Sequence, residues 1–155
     1  MSAEANRDLA RRWFDSASYR DGLSRAEEAG DPETARETFF RSLIAEIFSP
    51  DCVMHFPDSD GDYDRILRYH LVTMDAFPDA AFVIDDMIAE GDRVAVRGRM
   101  MGTNTGPFRG RPPTGKSVTM GFITICRIHA GKVVETWGYN DALGFMQQLG
   151  FLPKL

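Results

Sequence analysis

Asp141 follows an alternating run, Glu135, Trp137 and Tyr139, inside the stretch GKVVETWGYNDALGFMQQLG over residues 131–150. Side chains two apart on an extended chain share a face, so an acid is set beside two large aromatics where a strand ends. Withholding water from a carboxylate raises its pKa and suits it to taking up and returning a proton. The same position reads as the N-cap of a helix over Ala142–Leu149, whose first amides need an acceptor. The two roles are compatible.

Other residues could serve such chemistry. His55, in DCVMHF, is a proton carrier near neutrality or a structural histidine on a short strand. His70 shares a helical stripe with Ile66, Met74 and Phe77, which points to a core or cavity wall. Tyr69 lies one residue off that stripe and is expected to be exposed. Arg97 alternates with Arg93 and Arg99 against Val94 and Val96. That face is either the wet side of a sheet or, if it lines a cavity, a grip for a ligand carboxylate or enolate. Trp137 and Tyr139 are candidate pocket walls, whereas Glu135 at the strand start is expected in water. Met74, Met87, Met100, Met101, Met120 and Met146 suit an adaptable apolar cavity or a plain core.

These residues need elements to hold them. Residues 3–29 read as helix, with Leu9, Trp13 and Ala17 on one side and Gly22 as a candidate break. Asp31-Pro32-Glu33 opens a second helix, which Pro50 stops. It carries Phe39, Leu43 and Ile47 on one stripe and Phe40, Ile44 and Phe48 on the next, a face broad enough to need a curved sheet over it. Residues 51–56 form a short strand, PDSDGD (57–62) a loop, and Asp62 or Asp64 caps a third helix ending before Phe77-Pro78. From residue 80 the period is two, with turns at Glu90-Gly91-Asp92 and Ala130-Gly131. The predicted strands are 93–105, 116–129 and 132–140, with an ordered loop at 106–115. Helices followed by antiparallel strands imply an α+β fold.

The 155 residues are 43% hydrophobic and 26% charged, enough for one domain with a sizeable core. A net charge of −5 without a basic run argues against nucleic acid and gives no attraction to an anionic membrane. Cys52 and Cys126 have no ligand spacing, so no metal site is expected, and reduced thiols suit a cytoplasmic protein. The N-terminal stretch lacks the apolar core of a signal peptide.

The stretches FSPDCVMHFP (48–57), AFPD (76–79), AEGDRVAVRG (89–98), GTNTGPFRGRPPTG (102–115) and 131–150, in this order, resemble the SnoaL-like polyketide cyclase family over residues 35–150. That family belongs to the nuclear-transport-factor-2-like superfamily. The resemblance implies a cone: a curved antiparallel or mixed sheet wrapped around N-terminal helices and enclosing an apolar cavity. Asp141 falls on the aspartate of the family's ExWxxxD motif, which implies an acid/base for intramolecular aldol closure. His55 matches a first-strand histidine that tends to face the same cavity. The strand Val118–Ile128 has no histidine where the characterised cyclases place one, so this strand assigns no second acid/base residue. The GTNTGPFRGRPPTG loop implies turn geometry and not phosphate binding, having no Walker lysine. Arg97-Gly98-Arg99 lacks the Arg-x-Asp pair of limonene-type epoxide hydrolases, which counts against that reaction.

The expected protein is one domain, 1–155, with a helical extension at 1–30 that closes the cavity or serves a homodimer, and a core at 31–155. Its expected activity is a cyclase or isomerase without cofactor or metal, acting on a hydrophobic, oxygenated, polyketide-like small molecule. Asp141 and His55 are the catalytic candidates, and Trp137, Tyr139, His70, Met74, Phe40 and Arg97 the substrate-binding ones. A non-catalytic binding protein using the same cavity is the alternative.

Overall fold

The computed structural model describes residues 2–56 and 60–153. Helix α1 (Ala3–Trp13) starts at Ser2, whose hydroxyl accepts from the Ala5 amide, and buries Leu9, Ala10 and Trp13. The predicted break at Gly22 lies elsewhere. The chain turns at Phe14–Asp15, and Asp15 caps α2 (Ser16–Glu27) by accepting from the Ala17 amide at 3.0 Å and the Ser18 hydroxyl at 2.6 Å. Gly22 stays helical because the ring of Phe39 fills the space its side chain would take. A cap therefore outweighed a weak helix former.

Helix α3 (Pro32–Ile47) has Asp31 as N-cap and Pro32 in its first turn, and it buries Phe40, Ile44 and Ile47. Strand β1 (Phe48–His55) follows directly. Of the predicted loop 57–62, residues 57–59 lie outside the described residues, Asp60–Gly61 form strand β2, and Asp62 caps α4 (Tyr63–Ala76). Then come β3 (Ala81–Glu90), β4 (Arg93–Thr103), β5 (Ser117–His129), β6 (Lys132–Asn140) and α5 (Ala142–Leu149). The 130–131 turn has positive φ at both Ala130 and Gly131 (48° and 77°), the geometry that matches strand twist in a two-residue hairpin.

The six strands form one open sheet in the order β2-β1-β6-β5-β4-β3. Among the described residues only β1 and β6 pair in parallel; the other contacts are antiparallel. Register shifts at 84/86 in β3 and 127/128 in β5 bend the sheet around the helices. The result is the expected α+β cone. The core lies between helices and inner sheet face, where Phe40, Ile44, Phe77, Val94, Val96 and Met100 are almost fully buried.

The 104–116 loop is tied down rather than loose. Buried Asn104 accepts from the Thr114 amide at 2.9 Å and donates to the Gly106 carbonyl at 2.8 Å, while the Thr105 and Gly106 amides cap the Ala76 carbonyl at the end of α4. Among the described residues no helix is long and apolar enough to cross a membrane.

Candidate functional site

Strand pairing sets which side chains meet the cavity. Thr136 of β6 pairs with Met54 of β1, and Thr124 of β5 pairs with Gly138, so Thr136, Gly138 and Asn140 face the helices. Glu135, Trp137 and Tyr139 share a face, as their spacing predicts, but it is the outer one. His55 lies there too, directly opposite Trp137, with the two rings 5.3 Å apart and nearly parallel. Its Nδ1 and Nε2 reach Asp60 and Glu135 at 2.8 and 2.9 Å, and Arg127 closes on Glu135 at 2.8 Å. Hydrogen bonds to Glu135 and then Asp60 hold the His55 pKa above its ordinary value, and the same contacts hold Glu135 below its own. Glu135, expected in water, is a partly buried ion-pair partner. His55 is thus a strand-to-strand clasp.

Arg97 is likewise on the outer face, paired with Asp86 and Asp85 of β3. This is the wet-side alternative of the sequence reading, and it takes Arg97 away from the cavity. Asp141 stands at the joint and caps α5, accepting from the Gly144 amide at 2.9 Å; it is exposed and is not on the lining of either cavity described below. The polypeptide leaves extended geometry at 141, so the two-residue alternation stops one position before the acid. Phe40 and Met74 are core, at 0% and 2% exposure. Trp137 belongs to the outer face, and Tyr139 borders the smaller cavity while 64% exposed.

Two adjoining cavities lie on the inner side. The smaller, about 70 Å³, is enclosed by Trp13, Phe14 and Tyr19 from α1–α2, His70 from α4, and Thr124, Thr136 and Asn140 from the sheet. The larger, about 530 Å³, lies between α4, α5 and the 104–116 loop, against Phe77, Met100, Phe108 and Phe145. Phe56, Tyr69, Met120, Gly138 and Asn140 line both, so the cavities meet there. Among the described residues no acid lines either one.

His70 is the proton acceptor the cavity offers. Its Nδ1 lies 2.8 Å from the Ile66 carbonyl, which can only accept, so Nδ1 carries the hydrogen and Nε2 bears the lone pair. Nε2 faces the Tyr19 hydroxyl at 3.3 Å, while that hydroxyl donates to the Trp13 carbonyl. Burial pushes the His70 pKa down, against the opposing pull of the Ile66 bond, and keeps the ring neutral. Burial also pushes the Tyr19 pKa up. Sequence reasoning placed His70 on a wall but missed Tyr19, Tyr69 and Asn140. Only Asn140 carried a signal, being one step out of phase with Tyr139 along β6.

The family model for the SnoaL-like polyketide cyclase matches residues 33–149. The chain belongs to the SnoaL-like polyketide cyclase family. The matched span begins in α3, so the residues that α1–α2 bring to the smaller cavity lie outside the family core. Solved structures similar to this SnoaL-like chain include AclR from Streptomyces galilaeus, described as a candidate hydroxylase (28% identity, 95% of this chain and 85% of that one, TM-score 0.69). Another is IdmH from Streptomyces antibioticus, described as a candidate polyketide cyclase (28% identity, 88% and 99%, TM-score 0.63). TsrD from Streptomyces laurentii, at 21% identity over 98% and 99% with TM-score 0.74, shows the shared fold alone. The neighbours are nuclear-transport-factor-2-like, as the cone requires. No curated protein matches.

Proposed function

We propose that this chain binds an oxygenated, mostly apolar small molecule in the larger cavity and cyclises it by acid/base chemistry at the junction with the smaller one. The observation that carries the reading is the neutral, desolvated His70, with Nε2 free of a strong donor in the wall of the smaller cavity, which shares walls with the larger, substrate-sized one. In the reaction, Nε2 removes a proton from a carbon between two carbonyls. The enolate carbon then attacks a ketone carbon of the same molecule, forming one C–C bond and moving the C=O electron pair onto oxygen. The imidazolium returns the proton to that alkoxide, so product and substrate are isomers. Asn140 and Thr124, both lining the smaller cavity, supply donors to the enolate oxygens.

The test uses a synthetic aromatic 1,3-diketone with a tethered ketone, followed by chromatography and mass spectrometry. A new isomer formed by the wild type and abolished in His70→Gln is expected. Turnover at the wild-type rate in His70→Gln would overturn the assignment of the base.

A second reading, binding without turnover, is favoured by cavity walls that are acid-free among the described residues. It predicts ligand-induced thermal stabilisation with no product, unchanged in His70→Gln.

A further inference from the structure

Gly138 sits inside β6 between the inward-facing Thr136 and Asn140, where neither backbone nor packing calls for a glycine. Its φ is not among the positive ones. Among the described residues, a Cβ built there meets only the Phe56 ring at 3.8 Å and the Thr124 hydroxyl at 4.0 Å, both ordinary contacts. Gly98 of β4 is the contrast: a Cβ there comes within 2.5 Å of the Val83 carbonyl oxygen, so packing explains that glycine. A glycine inside a strand weakens it and often marks close approach of another backbone or a ligand. What borders Gly138 is open space, because it lies in the wall of both cavities.

The smaller cavity offers little room. Its volume is about 70 Å³. A water molecule's share of liquid is about 30 Å³, so this space takes about two non-hydrogen atoms. Trp13, Phe14, Met54, Phe82 and Phe122 wall the smaller cavity alone, which suits an apolar group. Phe14 is stacked between Trp13 and Phe122, with ring centroids 4.7 and 4.9 Å away. The N-terminal segment that carries Trp13 and Phe14 is clamped to the sheet. The Ser16 hydroxyl accepts from the Phe82 amide at 2.6 Å, and the Asn6 side chain donates to the Gly91 carbonyl at 3.1 Å. We infer that Gly138 is a specificity-determining position: its missing side chain lets a methyl or ethyl end of the ligand pass from the larger cavity into the smaller one, where Trp13 and Phe14 stop it. This inference rests on the two cavities being the ligand site and adds the size of the ligand's inner end.

The test uses phenyl 1,3-diketones whose far ends are methyl, ethyl, propyl or butyl, with binding read by titration calorimetry. N-phenyl-1-naphthylamine, which has no alkyl end, reports on the larger cavity. Wild-type affinity is expected to peak at methyl or ethyl and to fall by about tenfold by butyl, as overfilling a packed space does. Gly138→Ala is expected to weaken the peak diketone by about tenfold and to leave the naphthylamine within about twofold. Gly121→Ala makes the same change at an exposed position of β5 with open space around it, and is expected to change neither. Phe14→Leu trims the closed end and is expected to move the peak to a longer chain. Val72→Trp, at a half-exposed wall position of the larger cavity, is expected to weaken every ligand. Near-ultraviolet circular dichroism checks that each variant is folded; if Gly138→Ala is not, Phe14→Leu decides alone. Affinity that climbs steadily through butyl, an equal or absent loss across ligands in Gly138→Ala, or an unmoved peak in Phe14→Leu overturns this inference while the cavity reading stands. Failure of the ligands to bind the wild type, or binding unaffected by Val72→Trp, overturns the cavity reading and this inference with it.

Discussion

The hydroxyl of Tyr19 lies 3.3 Å from Nε2 of His70, and the two residues come from α2 and α4, 51 positions apart. Tyr19 also donates to the Trp13 carbonyl, so one buried hydroxyl ties the N-terminal helices to the candidate base. Tyr19→Phe keeps the ring and deletes that tie. It is expected to cost about 1 kcal/mol of stability, the worth of one buried hydrogen bond, as read by denaturant unfolding. On the diketone substrate, His70→Gln is expected to lower turnover by roughly a hundredfold to ten-thousandfold, and Tyr19→Phe by much less.

His55 and His70 should respond to pH in opposite directions. His55 has its pKa raised above 6.5, so its contribution is complete below that value and is lost as pH rises through the folded value. Glu135 has its pKa lowered below 4.5, so its contribution is complete above that value and is lost in acid. The stability difference between wild type and His55→Gln should therefore peak between pH 4.5 and 6.5 and shrink toward pH 8. Urea midpoints across that range measure it; a difference independent of pH would refute the clasp.

His70 behaves oppositely. Its folded pKa is lowered, so the unfolded chain binds the proton first as pH falls below 6.5, and stability drops from there toward the folded value. His70→Phe should remove that acid-side loss, visible as a flatter melting temperature between pH 7 and 5.

Asp141 separates cap from catalyst. Asp141→Ala should cost about 1 kcal/mol by stranding the Gly144 amide, and Asp141→Asn much less. With His70 as the base, Asp141→Asn should keep wild-type turnover. A large loss of turnover in a stably folded Asp141→Asn would return the proton transfer to the aspartate.

Gly106 tests the loop anchor. A Cβ there would overlap the backbone carbonyl of Asp75 at the end of α4, and backbone cannot yield as a side chain can. Gly106→Ala should cost roughly 1–3 kcal/mol in thermal or urea unfolding.

Much of this was legible in the residues. The caps at Asp31 and Asp141, the narrowing of the α4 cap to Asp62 or Asp64, the stripes of α3 and the alternation of β4 follow from local rules that need no partner. The ordered series of short stretches likewise pointed to the family and its cone. Which face of β1 and β6 meets the cavity was decided only in the tertiary structure. Alternation says that Glu135, Trp137 and Tyr139 travel together, and it is equally satisfied with them inside or outside. Pairing with β1 and β5 resolved the choice, sending His55 and Trp137 outward and Thr136 and Asn140 inward. The Tyr19–His70 contact was illegible for a related reason: it joins two helices whose spacing along the chain carries no information about their distance in space. Local chemistry is written residue by residue, whereas the shared surroundings that tune a base exist only once the chain has closed around it.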